Sequence, residues 1–255
     1  MRSGVTTPIN AYLVCGGRWH DFDFARVELL RLLGEHENVR TRVAGDYRDL
    51  EALEASDFLI TYTCDLEGVS PEQEKALQNF VHAGGRWLAL HGTNSVMDFL
   101  DDGRVASPRT QDTLMRTLGS QFIAHPPIAP YTVENVNPEH PLVAGIEPFE
   151  VEDELYLCEY HGQVEALLAT HFSGQAVGFV EADWPGDEPR LVMYLHPEGE
   201  GEVLYLTLGH CRGRYDMRPL MDAYPRVERG SWESPVFLEL LRRSLRWCLE
   251  GSSPL

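Results

Sequence analysis

Gly84-Gly85-Arg86-Trp87-Leu88-Ala89-Leu90-His91-Gly92-Thr93-Asn94 reads as a buried strand that stops at a histidine. Upstream, Ser70-Pro71-Glu72-Gln73 has a serine cap, a proline in the first turn and a glutamine at the capping-box position. It predicts a helix carrying Ala76, Leu77, Phe80 and Val81. Gly84 and Gly85 end that helix, because without a Cβ they can take the left-handed turn that sends the chain back. Trp87 to Leu90 is then an unbroken apolar run, the pattern of a strand covered on both faces by helices. His91 falls at its carboxyl end, the edge where open α/β sheets gather ligands.

The stretch before it repeats the plan. Ala11-Tyr12-Leu13-Val14-Cys15 is a short apolar strand, followed by Gly16-Gly17-Arg18-Trp19-His20-Asp21. Asp21 caps a helix containing Val27, Leu30 and Leu33, which Gly34 closes. Gly16 and Gly17 serve either as a tight turn or as a place where a ligand approaches the backbone, and His20 sits on the predicted rim. Val39 to Val43 is a weaker strand, Asp46 to Leu53 a short helix, and Asp57 to Tyr62 a third strand. Strand and helix thus alternate through the first 90 or so residues, which implies a parallel sheet wound with right-handed crossovers. Cys64 follows the third strand without a readable activating neighbour, so it is taken as a small buried residue.

Composition bounds the classes. The 255 residues, 43% hydrophobic with 10 Phe, 10 Tyr and 5 Trp, suffice for one α/β domain over residues 8–250. A formal charge of −19 argues against nucleic-acid and anionic-membrane partners, and Arg212-Gly213-Arg214 is the nearest thing to a basic cluster. The five cysteines are odd in number, widely spaced and without a C-x-x-C pair, which fits reduced thiols in a cytoplasmic protein. No signal-type apolar region precedes Ala11, and no stretch approaches a membrane span. A homo-oligomer stays open.

After Asn94 the periodicity predicts short helices over Val96 to Leu100 and Thr113 to Leu118. His125, before Pro126, is held extended, a posture suited to aiming a ring at a cleft. Tyr131 to Val136 reads as a strand, and His140-Pro141-Leu142 with Gly145-Ile146 as a turn. Phe149 to Tyr156 alternates like a strand yet carries Asp153 and Glu154, poor choices for its interior unless they face a cation, a polar pocket or solvent. Leu167 to Thr170, Ala176 to Val180 and Leu191 to Leu195 are further strand-like runs, so the second half is strand-rich. Val203 to Leu208 ends in Gly209-His210, an echo of the His91 ending. Ser234-Pro235 opens a helix with Leu238, Leu241, Leu245 and Cys248 on one face.

In this order, Gly16-Gly17 with His20-Asp21, Gly85 through Leu90-His91-Gly92, His140-Pro141 with Gly145-Ile146, Asp153-Glu154-Leu155-Tyr156, and Gly201-Glu202-Val203 through Gly209-His210 resemble the trehalose-utilisation (ThuA-like) family. The resemblance spans nearly the whole chain. It implies a flavodoxin-like, class I glutamine-amidotransferase-like three-layer α/β sandwich, mostly parallel, and a connection with sugar catabolism in which 3-keto-disaccharides are candidate substrates. True glutamine amidotransferases place a cysteine nucleophile where this chain has His91, and an imidazole cannot take over thiolate chemistry, so glutamine hydrolysis is not expected. Glu200 and Glu202 stand where the family usually carries a lysine and an arginine, which implies a different ligand if those cations touch substrate.

These residues suggest roles. His91, His20, Glu154 and Asp153 are candidate acid/base groups, able to remove a proton α to a sugar ketone. Gly16, Gly17, Asp21, Gly92, Asn94, Tyr156 and His125 are candidate substrate contacts. His20, His91 and His210 could instead hold a divalent metal such as zinc, although they lack an H-x-x-x-H spacing. Two readings stand side by side: an enzyme acting on a carbohydrate, and a non-catalytic sugar-binding or scaffold protein.

Overall fold

A computed structural model describes residues 7–218 and 226–251. β1 (Ile9–Gly17), β2 (Val39–Ala44), β3 (Phe58–Cys64) and β4 (Arg86–Leu90) alternate with α1 (Phe22–Leu33), α2 (Leu50–Glu54) and α3 (Pro71–His82). Then follow α4 (Asp112–Leu118), β5 (Ala129–Asn135), β6 (Phe149–Asp153), β7 (Glu165–His171), β8 (Pro189–Glu198), β9 (Gly201–Leu206) and α5 (Pro235–Gly251). These nine strands make one sheet in the order β2-β1-β3-β4-β9-β8-β7-β5-β6. The five from β2 to β9 run parallel, and the rest are antiparallel.

Alternate residues of the parallel strands feed two cores, which makes the three layers. Leu13 and Cys15 of β1 pack with Leu29 and Leu33 of α1 and Phe237 and Leu241 of α5. Tyr12 and Val14 turn the other way, toward Leu53, Leu77 and Leu114 of α2, α3 and α4. Burial on both sides explains the unbroken apolar runs, since neither face of such a strand meets water.

Local signals act as read. The Asp21 side chain accepts from Phe24 N, and Ser70 and Gln73 cap each other reciprocally. Gly84, at φ +101°, takes the left-handed turn between α3 and β4.

Two expectations fail. Residues 96–100 form no helix. Asp98–Phe99 pairs antiparallel with Val105–Ala106 around the Asp101-Asp102-Gly103 turn, and Phe99 stays exposed, so no apolar stripe exists for a helix to bury. Nor are residues 176–180 a strand. Ala176 and Phe179 are apolar because they close a small third core with Phe122, Tyr156 and Leu157, packed over the ribbon Ser120–Ala124 and Leu157–Tyr160.

The parallel strands all end on one edge. The loops after β1, β3, β4 and β9 therefore meet there, and β6 delivers its own end to the same place through Asp153 and Glu154.

Candidate functional site

β4 ends at His91 in the left-handed region, with φ +46°. Trp19, just after β1, and Asp65, just after β3, also have positive φ, +79° and +48°. Each such non-glycine residue costs of order 1 kcal/mol or more and persists only where its surroundings hold it. The holding groups are visible. The Tyr205 hydroxyl donates to the His91 carbonyl (2.6 Å) and accepts from Asn94 N (2.9 Å), and Thr93 Oγ1 donates to the Leu90 carbonyl (2.8 Å). Gly92 lies against Cys64, where a Cβ would come within 2.9 Å of Sγ. The Asp65 carboxylate accepts from Arg18 Nε (2.9 Å), Trp19 Nε1 (3.1 Å) and Met97 N (2.9 Å), tying three loops together.

Three imidazoles and one carboxylate converge inside these loops. His91 Nδ1–H donates to the Thr207 carbonyl (2.8 Å), which leaves its Nε2 lone pair facing inward. That atom lies 2.9 Å from His20 Nε2, 3.3 Å from Glu154 Oε2 and 3.4 Å from the Tyr156 hydroxyl. His20 Nε2 is 3.6 Å from the same Glu154 oxygen. His210 presents Nδ1 at 3.1 Å from Glu154 Oε1, and its Nε2 lies 2.8 Å from Glu228 Oε2. Arg212 reaches both Glu154 (3.3 Å) and Glu228 (2.9 Å). The donor atoms of His20, His91, His210 and Glu154 all lie within 4.8 Å of one another, and all four residues are buried.

Electrostatics separates the rings. Burial pushes His20 down to about 3 although Glu154 pulls the other way, so this ring is neutral near pH 7. Burial also acts to lower His210, but the Glu154 and Glu228 carboxylates outweigh it and raise the ring to about 9. Burial opposes charge on Glu154, and His210, His125 and His20 overcome it and hold the carboxyl well below its usual range.

Asp153 has a different place from the one expected for an acid/base group. Its carboxylate accepts from the backbone N–H groups of Glu154, Gly209, His210 and Ser231 at 2.8–3.2 Å, so it shapes the loops and presents no free oxygen to a substrate. Several expected substrate contacts are likewise scaffold. A Cβ on Gly16 would meet the Gly45 carbonyl at 2.1 Å, and one on Gly17, at φ +128°, the Cys64 carbonyl at 2.0 Å, so both glycines serve close backbone packing. Gly92 and Asn94 belong to the buried turn, where Asn94 Nδ2 donates to Ser120 Oγ (2.7 Å). Asp21 caps α1 and pairs with Arg229 (3.1 Å).

Tyr156 and His125 do border the cluster. His125 Nε2 is 3.9 Å from Glu154 Oε1, its side chain is 25% exposed, and its ring packs on Phe179. Arg212 and Glu228 join the site without a local motif that marks them as site residues. Arg212-Gly213-Arg214 reads as a short basic cluster, which points to charge rather than to position.

Other features lie elsewhere. Glu200 and Glu202 sit at the start of β9, on the amino edge beside Gly84 and Gly85, so their departure from the family pattern does not alter this cluster. A groove of about 620 Å³ on that same edge is lined by Pro8, Phe80 and Gly84 among others and gathers no comparable set of titratable groups. All five cysteines are buried, and burial drives the Cys64 thiol far up, against a nucleophilic role.

The sequence pattern of the ThuA family, described as trehalose utilisation, matches residues 13–224. The chain belongs to the ThuA family. The match includes His20, His91, Glu154 and His210 and leaves Glu228 and α5 outside it. This ThuA chain is similar to a ThuA-like protein from Parabacteroides merdae ATCC 43184 (TM-score 0.64, 15% identity, 96% of this chain and 91% of that one). It is similar also to one from Bacteroides uniformis ATCC 8492 (TM-score 0.65, 15% identity, 96% and 93%). A β-galactosidase from Rahnella sp. R3 shares the fold over 31% of its own length (TM-score 0.57, 15% identity, 95% of this chain). At such identity the likeness establishes the mostly parallel, flavodoxin-like α/β fold of the ThuA chain and nothing of its chemistry. No curated protein matches the sequence. Among the described residues, no helix is long and apolar enough to cross a membrane.

Proposed function

We propose that the chain is an enzyme of carbohydrate catabolism that acts on a sugar or a 3-keto-disaccharide at the His20, His91, Glu154 and His210 centre. The observation that carries this reading is the convergence of these side chains at the carboxyl edge of the sheet, in a chain of the trehalose-utilisation family. A ketone acidifies the neighbouring C–H. Removing that proton gives an enolate, from which isomerisation or loss of the glycosidic oxygen follows. The centre offers an inward lone pair at His91 Nε2 and positive charge at His210 and Arg212 for the developing oxyanion. Tyr156 and His125 stand beside it as proton donors. Glutamine hydrolysis is no part of the proposal, because His91 occupies the nucleophile's turn and Cys64 is buried.

The test is turnover of a 3-keto-disaccharide, followed by chromatography of the products, for the wild type and a His20→Ala/His91→Ala double variant. Turnover is expected to fall by about a hundredfold or more in the variant. Equal rates would remove the proposed site. Sugar binding by the wild type without any turnover would favour the non-catalytic reading instead.

A further inference from the structure

We propose that His20 Nε2, His91 Nε2, His210 Nδ1 and Glu154 form a binding site for one divalent first-row transition ion of the zinc type. The proposal deepens the reading above, since it concerns the same centre, but metal binding is measured without any sugar.

Geometry carries the argument. Metal bonds of about 2.0–2.1 Å in a tetrahedral set hold neighbouring donors roughly 3.3–3.4 Å apart. The separations here are 2.9 Å for His20 to His91, 3.3 Å for His91 to Glu154 Oε2, and 3.6 Å for His20 to the same oxygen. His210 Nδ1 is 3.1 Å from the other Glu154 oxygen, yet it is not aligned for a hydrogen bond with it and has no other hydrogen-bond partner among the described residues. A buried polar nitrogen so placed costs free energy unless something shares it, and a metal ion would do so by displacing the ring proton.

The outer contacts of two of the three rings point the same way, while His20 Nδ1 has no hydrogen-bond partner among the described residues. A ligating imidazole donates its second N–H to a carbonyl or carboxylate, which fixes the tautomer and makes the ring a better donor. His91 does so to the Thr207 carbonyl, and His210 meets the Glu228 carboxylate. Arg212 in turn pairs with Glu228 and Glu154, so both carboxylates are held in position. Asp153 fixes the backbone of Gly209 and His210 and so sets where the His210 ring points.

The donor set also selects the ion. Three imidazoles with one carboxylate suit zinc and its neighbours in the transition series, whereas calcium and magnesium call for oxygen-rich sites. The chain draws these ligands from the ends of β4, β6, β9 and β1, which is why no local spacing motif announces them. With an ion bound, His91 Nε2 is a ligand, and proton transfer falls to Tyr156 and His125 at its border.

The test uses the full chain, stripped with chelator and then titrated with Co²⁺, whose visible absorption reports nitrogen and oxygen coordination. One Co²⁺ per chain is expected, displaced by an equivalent of Zn²⁺. Glu154→Gln, which keeps the side-chain shape, and His20→Ala are each expected to weaken binding by more than about a hundredfold, and Glu228→Gln by about tenfold to a hundredfold. His82→Ala, at an exposed histidine of α3, is expected to leave binding unchanged.

A wild type that takes up no stoichiometric Co²⁺ overturns the proposal, as do folded Glu154→Gln and His20→Ala variants that bind like wild type. Circular dichroism screens the variants. If they do not fold, ring-labelled ¹⁵N-histidine spectra of the wild type decide: three rings shifting together on adding Zn²⁺ supports the site, and no shift overturns it. Keto-disaccharide turnover that survives complete chelation removes the metal and keeps the sugar reading. A bound ion without turnover does the reverse.

Discussion

The Asp153 carboxylate shares its two oxygens among four backbone N–H groups, those of Glu154, Gly209, His210 and Ser231. Asp153→Asn keeps the shape but turns one oxygen into a donor facing N–H groups, and each buried N–H left unpaired costs about 1–3 kcal/mol. The variant is expected to lose roughly 2 kcal/mol or more of stability in urea unfolding. An unchanged midpoint would show that the carboxylate is not holding the loop. From the amino-acid order Asp153 and Glu154 look alike, two acids in a strand that should bury little charge. Their division of labour follows from where the strand stops: Asp153, the last residue of β6, bonds the backbone of the neighbouring loops, and Glu154, the first residue beyond it, reaches the histidines. Glu154 is thus legible as unusual, while its partners Arg212 and Glu228 are not. They come from a segment that returns to the site only through tertiary packing.

Helices with both a cap and an apolar stripe are legible. α1, α3 and α5 begin where Asp21, Ser70 and Ser234 stand, and α5 buries Leu241, Leu245 and Cys248, with Phe237 and Leu240 widening its stripe. Leu238 is only half-buried, because it lies at the margin of that stripe. Segments whose apolar residues answer a neighbour rather than their own period mislead, and residues 96–100 and 176–180 are of that kind. Caps and cores contribute differently. Leu241→Ala should cost about 2–5 kcal/mol, since it leaves a cavity between α5 and the sheet. Ser70→Ala should cost only about 1 kcal/mol, because it removes one half of the reciprocal cap on α3. Guanidinium unfolding of the two variants checks the ranking, and a reversed order would contradict the assignment of α5 to the central core.

Across the whole molecule, 40 acidic side chains face 21 basic ones, a net charge of −19. Self-repulsion at that charge opposes compactness, and salt screens it. Raising salt from about 0.02 M to about 0.5 M is expected to raise Tm, and a fall would mean that attractive surface pairs dominate the balance. The strand order carries one more consequence. β4 finds its second neighbour only in β9, more than a hundred residues later in the chain. During synthesis, therefore, the apolar Trp87 to Leu90 ribbon leaves the ribosome with one side unzipped and stays so until Gly201 to Leu206 has followed it. Until β9 slots in, the nascent chain is a half-closed book, one edge of β4 open and the His210 arm of its site still missing.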